Sequence, residues 1–180
     1  VYGDTGKKNY KTKNIVIATG SNHSTLPGIE IDEKNIVSST GALSLNKVPK
    51  QLVVIGGGYI GLEMGSVWSR LGAEVTVIEY LDHITPGMDK EISQEFLKIL
   101  KKQGINFKLN SKVRSVKNVK EGVEVEFQDN KSKENGSILA DKVLVSVGRK
   151  PYTEGLNLSK IGIERDEKGR VNVDNKLRTS

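Results

Sequence analysis

One stretch constrains this chain more than any other: QLVVIGGGYIGLEMGSVWSRLGAEVTVIE, from Gln51 to Glu79. It opens with an apolar, largely β-branched run, Leu52, Val53, Val54 and Ile55, of the kind that forms a strand buried on both faces. Gly56, Gly58 and Gly61 follow at GxGxxG spacing. Ile60, Met64, Val67, Trp68 and Leu71 then recur at offsets of four, seven, eight and eleven, which predicts one apolar face of a helix. Gly72 stands where a helix C′ residue takes positive φ. A second apolar run, Val75, Val77 and Ile78, ends in an acid, Glu79. The pattern is a complete β-α-β unit.

Each glycine has its own physical task. Gly56 allows a tight strand-to-helix turn, Gly58 lets a pyrophosphate approach the backbone, and Gly61 lets the helix pack close to the strand. Phosphates would sit on free amides at the positive end of the helix. Glu79 follows Gly61 by 18 residues, at the carboxyl end of the second strand, where a carboxylate can accept bonds from both ribose hydroxyls. Its neighbours Tyr80, Leu81 and Asp82 supply no cation for a 2′-phosphate, so the pattern favours NAD over NADP. A glycine-rich turn in an ordinary α/β protein is the plainer reading, and it leaves Glu79 unexplained.

Composition narrows the rest. The chain has 180 residues, a net charge of +6 from 28 basic and 22 acidic side chains, and no run of five like charges. That is a solvated surface rather than a nucleic-acid face. No segment approaches 18 uninterrupted apolar residues and no signal peptide opens the chain, so the reading is soluble and intracellular, with no membrane partner. There is no cysteine, which removes disulfides, thiolate metal sites and cysteine nucleophiles together. His23 and His83 lie far apart in polar, turn-like surroundings and read as loop residues; no metal site is expected. The chain begins at Val1 without an initiator methionine and stops at Thr179-Ser180 without a closing element, and reads as a piece of a longer protein.

Along the chain, turn signals stand at Gly3-Asp4 and Gly6, and Asn14–Ala18 (NIVIA) reads as a short buried strand running into Thr19-Gly20-Ser21. Ser39 or Thr40 is expected to cap a short helix through Leu45. Asp89 is expected to cap a helix whose apolar positions are Ile92, Phe96, Ile99 and Leu100 and which ends at Gly104. Residues 105–109 read as a third parallel strand. Segments 112–119, 122–127 and 137–140 alternate in period two and predict an antiparallel meander. Lys142–Val147 reads as a fourth parallel strand beside the first, broken at Gly148. The expected class is α/β: a Rossmann-type parallel sheet with helices on both faces and an antiparallel β-meander.

With those pieces in place the chain resembles the pyridine nucleotide-disulfide oxidoreductases, in wording nearest their dihydrolipoyl dehydrogenase branch. The matching stretches are KNIVIATGS (13–21), IVSSTGAL (36–43), VVIGGGYIGLEMGSVWSRLGAEVTVIE (53–79), FKLNSKV (107–113) and VSVGRKP (145–151). The resemblance implies a parent enzyme that oxidises dihydrolipoamide on a 2-oxo acid dehydrogenase complex through a disulfide and FAD, passes hydride to NAD, and works as a homodimer in the bacterial cytoplasm or the mitochondrial matrix. It implies that residues 1–47 are the tail of a flavin-binding domain and linker, 48–150 an NAD-binding domain, and 151–180 a return segment toward the flavin-binding domain. The family's CxxxxC, the GD segment of its flavin site and its catalytic His-Glu pair have no counterpart here. No catalytic residue is therefore expected in this chain, which alone should be inactive.

By the same resemblance, Gly56, Gly57, Gly58, Tyr59, Ile60, Gly61, Leu62 and Glu63 form the NAD loop, with Tyr59 over the nicotinamide pocket and Glu63 facing the nicotinamide. Val113 lies against the adenine, Gly148 approaches the nicotinamide side, and Thr19, Gly20 and Ser21 are a flavin contact. Rival readings remain at this stage. A nicotinamide-dependent dehydrogenase complete in this chain would need a tyrosine with a lysine four residues on, and none of the five tyrosines has one. A methyltransferase would also place an acid after its second strand, but Gly61 and VGRKP argue against it. A non-enzymatic NAD-sensing module stays open.

Overall fold

The computed structural model describes residues 2–3 and 6–180 and divides into two compact units, one made of the chain's two ends, through Asn22 and from Pro151, the other running His23–Lys150. In the first unit β1 (Tyr2–Gly3) and β2 (Gly6–Lys7) pair antiparallel. Gly6 has φ 96°, as the turn signal there requires, while the Asp4 part of the other turn signal lies outside the described residues. A short 3-10 helix, Leu158–Ile161, ends at Gly162 in the left-handed region. The expected strand at Asn14–Ala18 does not form: these residues have no strand assignment, and Ile15 and Val16 are 81% and 86% exposed. An apolar run becomes a strand only where a neighbouring ladder takes its N–H and C=O groups, and no described strand pairs with this one.

The second unit is built around a five-stranded parallel sheet in the order β4-β11-β5-β6-β7. Its strands are β4 (Ile36–Val37), β5 (Gln51–Ile55), β6 (Glu74–Ile78), β7 (Asn106–Lys108) and β11 (Lys142–Val145). Two further short strands are β3 (Ser21–His23) and β12 (Arg149–Pro151). Alternation along β5 shows why the whole apolar run is needed. Leu52 and Val54 join one core cluster, Val53 and Ile55 the other, so the strand is buried on both faces.

Those two clusters are chemically alike but covered differently. On one face lie α1 (Ser39–Leu43), α2 (Tyr59–Arg70) and α3 (Lys90–Lys102), contributing Ala42, Leu62, Trp68 and Leu100. On the other lie the antiparallel strands β8 (Ser111–Val119), β9 (Gly122–Asp129) and β10 (Asn135–Ala140), in the order β10-β9-β8. They contribute Val116, Val123, Val125 and Ala140. The α/β class, the parallel sheet and the meander are those expected. The layering differs, because the meander takes the face where a second set of helices was anticipated. Its inward residues, Val116, Val123, Val125 and Ala140, present a flat apolar surface that a pleated sheet can cover at ordinary sheet-to-sheet spacing.

The helices pack through smaller residues than the periodicity suggested. In α2 the buried positions are Gly61, Leu62, Gly65 and Trp68, while Val67 and Leu71 are exposed. A close helix-to-strand approach turns the glycine side inward and rotates part of the apolar stripe out. In α3, Ser93 and Leu100 are buried, Phe96 and Leu97 pack against the core cluster that holds Leu100, and Ile92 and Ile99 are exposed. Asp89 caps α3 as expected, its side chain accepting from the Glu91 and Ile92 N–H groups. The cap of α1 is Ser38, one residue before the expected pair, accepting from the Thr40 N–H. Gly72 and Gly104 take φ 107° and 92° just past their helices.

Candidate functional site

The carboxyl ends of β5, β6 and β11 open into a cavity of about 1210 Å³. From β5 the chain steps through β6 to β7 in one direction, then returns to β11 on the other side of β5. The cavity therefore lies at the sheet's topological switch point, where ligands of open α/β sheets bind. Gly56, Gly58, Tyr59 and Ile60 line it from the loop and the start of α2; Glu79 lines it from the end of β6. Val113 and Gly148 reach it from the meander and from the segment after β11.

The glycines separate by what a side chain would meet. A Cβ on Gly56 would lie 2.5 Å from the Ser146 carbonyl oxygen, and the backbone there already takes φ 107°. A Cβ on Gly61 would lie 2.3 Å from the Gly56 carbonyl oxygen and 3.0 Å from Val54 Cγ1, which is the close helix-to-strand contact read from the spacing. Around Gly58 there is nothing within 4 Å. No protein atom requires glycine at that position, whereas a group lying against the loop would.

Gly58 is the N-cap of α2, and its carbonyl takes the Leu62 N–H at 3.0 Å. The first-turn amides before Leu62 have no intrahelical acceptor, and no acidic side chain occupies that turn. An open glycine beside a run of unsatisfied amides at the positive end of a helix suits phosphate oxygens. The residues present therefore fit the pyrophosphate of a dinucleotide.

Glu79 is 8% exposed. Its Oε2 accepts the Gly57 N–H at 2.6 Å and its Oε1 accepts the Leu81 N–H at 2.8 Å. A carboxylate oxygen has two acceptor directions, so each oxygen retains one for a hydroxyl in the cavity. The Gly57 carbonyl in turn accepts the Thr85 N–H at 2.8 Å. Gly57 is buried, and Gly61 and Leu62 are buried on α2; these three support the loop from beneath. Glu63 is exposed on α2 and is not among the lining residues. Thr19, Gly20 and Ser21 belong to the other unit, where Thr19 Oγ1 donates to the Tyr152 carbonyl and the Tyr152 N–H to the Gly20 carbonyl.

Several lining residues escaped sequence reading. Ser146 Oγ donates to the Ile55 carbonyl at 3.0 Å and lies 3.3 Å from that of Gly56, bracing the turn from β11. A small polar residue at the end of a buried strand was the signal available. Lys112 and Arg114 come from β8 and Arg149 from β12, so three cationic side chains line the cavity although the local neighbours Tyr80–Asp82 supply none. Arg114 is the extra residue of a β-bulge, since Val113 pairs with Phe127 and Ser115 with Glu126. A bulge re-aims a side chain, and both Val113 and Arg114 face the cavity; the Arg114 guanidinium also donates to Gln128. Thr85 and the turn after it, Pro86–Met88, close a further side. His83 pairs with Asp82 at 2.6 Å in solvent. Among the described residues no three His, Cys, Asp or Glu side chains form a metal-binding group, and no helix is long and apolar enough to cross a membrane.

Residues 2–180 match the family described as pyridine nucleotide-disulphide oxidoreductase. The chain is similar to the dihydrolipoamide dehydrogenase of Chaetomium thermophilum, with 59% identity over 177 residues, 98% of this chain and 35% of that protein. It is similar to the mitochondrial dihydrolipoyl dehydrogenase of Pisum sativum, with 55% identity over 170 residues, 94% of this chain and 34% of that protein. Among solved structures it resembles a HOCl-induced flavoprotein disulfide reductase of Escherichia coli, with a TM-score of 0.80 and 31% identity, over 90% of this chain and 36% of that one. The chain spans about a third of the length of the relatives it matches.

Proposed function

The chain belongs to the pyridine nucleotide-disulphide oxidoreductase family, and from that membership we propose that it is the NAD(H)-binding part of a dihydrolipoyl dehydrogenase. The observation that carries the reading is Glu79, a buried carboxylate at the wall of the cavity with one free acceptor direction on each oxygen. A glycine-rich turn alone has no use for it. A dinucleotide does: its ribose hydroxyls can donate to Glu79 while its phosphates lie along Gly58 and the start of α2.

In the full-length protein, dihydrolipoamide on a 2-oxo acid dehydrogenase complex is oxidised through a disulfide and FAD, and NAD supplies the final hydride acceptor. Residues 48–150 provide the NAD-binding elements. Residues 1–47 are the tail of the flavin-binding domain and a linker, of which the part from His23 packs in the same compact unit as the NAD-binding elements. Residues 151–180 return toward the flavin-binding domain, with Thr19, Gly20 and Ser21 part of an FAD site that other segments complete. Tyr59, Glu63, Val113 and Gly148 keep their proposed parts along the nicotinamide and adenine ends, Glu63 only in the full-length protein, where it also faces a lysine of the flavin-binding domain. The chain has no cysteine and so turns over no thiol by itself. The names of the plant and fission-yeast relatives include "mitochondrial", which supports the mitochondrial matrix over the bacterial cytoplasm.

Calorimetry with NADH and NADPH tests the assignment. A 2′-phosphate loses a hydroxyl donor to Glu79 and meets its charge, each well-formed charged bond being worth about 1.5–3 kcal/mol. Lys112, Arg114 and Arg149 line the same cavity and would soften that repulsion. The expected preference for NADH is therefore about tenfold, at the lower end of what Glu79 alone implies. Glu79→Ala should remove most of it. Equal affinities in the unmutated chain would refute the reading.

A further inference from the structure

The Gly57 backbone is held from both sides. Its N–H points to Glu79 Oε2 at 2.6 Å, and its carbonyl accepts the Thr85 N–H at 2.8 Å. Its Cα side is equally constrained, since a Cβ there would sit 3.2 Å from both Glu79 Oε2 and Ile84 Cγ2. Orientation of the Gly57 N–H thus helps to decide where the Glu79 carboxylate rests, with the Leu81 N–H holding its other oxygen at 2.8 Å.

Thr85 is an unusual residue to find on the far side of that clamp. It is buried at 8% exposure and sits at φ 48°, a left-handed conformation in which a β-branched side chain is a genuine outlier. Glycine or asparagine would adopt it with less strain. What threonine adds is a hydroxyl, and that hydroxyl lies 2.8 Å from Ser93 Oγ in the first turns of α3, with both groups buried. The Ser93 N–H is itself fixed to the Asp89 carbonyl at 3.0 Å, and the Thr85 carbonyl takes the Met88 N–H at 3.1 Å. Ile84, fully buried, anchors the preceding residue. Strain of this kind persists only where surrounding contacts over-determine it, and here they converge on one N–H aimed at Gly57.

We propose that Thr85, locked to Ser93, is a positioning residue that sets the Gly57 backbone and through it the Glu79 carboxylate, so that the start of α3 tunes recognition of a ribose bearing free hydroxyls. The inference rests on the dinucleotide reading of the cavity. Thr85 lines that cavity, yet its part is exerted through Gly57 rather than through contact with the sugar. Among the described residues each hydroxyl is the other's side-chain partner, which makes the link sensitive. Removing either leaves the other buried without its partner and frees Thr85 to relax from its strained backbone.

A double-mutant cycle in this chain tests it. NADH and NADPH affinities would be measured by calorimetry for wild type, Thr85→Val, Ser93→Ala, Thr85→Ser and Glu79→Gln, and for Thr85→Val and Ser93→Ala each combined with Glu79→Gln. Thermal unfolding followed by circular dichroism would establish that each variant is folded. Thr85→Val and Ser93→Ala should each weaken NADH by about three- to tenfold, with little change for NADPH, so that discrimination collapses. Thr85→Ser, which keeps the hydroxyl, should restore most of it. Neither effect should add to that of Glu79→Gln, because both pass through the same carboxylate. A loss that persists undiminished beside Glu79→Gln, or unchanged NADH affinity in Ser93→Ala, would overturn the positioning role while leaving the cavity assignment intact. Absence of NADH binding in wild type would overturn both.

Discussion

Gly58 and Gly61 stand three positions apart in one motif and answer to different demands. At Gly61 the obstacle is protein: a methyl group would meet the Gly56 carbonyl oxygen at 2.3 Å and Ser146 Oγ at 2.5 Å. The backbone oxygen cannot swing aside, so α2 itself must move. Gly61→Ala should therefore destabilise the fold by about 2–3 kcal/mol, as overpacking of a tight core does, visible as a lower urea midpoint. At Gly58 the space is open and the backbone, at φ −76°, suits any residue. Gly58→Ala should cost only about 0.5–1 kcal/mol, the difference between glycine and alanine as a helix cap, yet weaken NADH sharply because the methyl occupies the path to the amides. A stable Gly58→Ala that binds NADH as wild type does would mean phosphates do not lie there. The two roles were legible in the spacing. What spacing could not carry was Ser146, some ninety residues on, which makes Gly56 and Gly61 obligatory from the other side.

Elements were legible in proportion to how locally their stability is decided. Residues 51–79 carry their own strand, turn, helix and strand, and each pairs with the next. NIVIA has equal apolar content but depends on a ladder elsewhere, and it stays without strand structure and largely solvated. The short β4 is an intermediate case, since a side-chain bracket joins the backbone bonds from Asp32 and Glu33 to the Ile36 carbonyl in ordering its approach. Asp32 Oδ1 accepts the Lys34, Asn35 and Ile36 N–H groups at 2.7–3.0 Å, and its Oδ2 accepts Asn118 Nδ2 from β8 at 3.0 Å. Asn118 closes the bracket by accepting from Asn35 Nδ2. Burial pushes the Asp32 carboxyl up, but these bonds outweigh it and hold its pKa at about 2. Because the folded value lies below the unfolded value of about 3.9, the stabilisation is complete above about pH 4 and is lost as pH falls toward about 2. Partial exposure limits it to about 1–2 kcal/mol. Asp32→Asn should be less stable by that amount at about pH 6, with the gap narrowing below about pH 4 and closing only as pH falls to about 2 or lower. Urea midpoints across that range check this, and a pH-independent gap would assign the effect to packing instead.

At the scale of the whole molecule, both core clusters are drawn from residues between Leu26 and Val147, and the cavity from residues between Leu26 and Arg149. Sequence reading started its NAD-binding domain at residue 48, where the strong pattern begins. The compact unit starts earlier, at His23, because Ile29, Ile36 and Val37 are buried in those same clusters. Nothing local announces that membership: two residues of β4 pair with β11 more than a hundred positions away. The energetic consequence is direct. A unit of about 130 residues buries roughly two-thirds of the surface its unfolded chain exposes, and here it would keep both apolar clusters whole. Residues 23–150 expressed alone should therefore unfold in one cooperative transition and bind NADH within about threefold of the 180-residue chain, roughly 0.7 kcal/mol. A chain shortened to begin at residue 48 lacks β4 and the Asp32 bracket, and exposes the edge of β11 together with Val143 and Leu144. It should aggregate or unfold several kcal/mol more easily, since each large apolar side chain uncovered costs about 1.5–3 kcal/mol. Chemical denaturation and calorimetry on the two truncations decide the matter. If 23–150 folds but no longer binds, the terminal segments must complete the nucleotide site; if 48–150 matches it in stability, β4 is an appendage rather than part of the core.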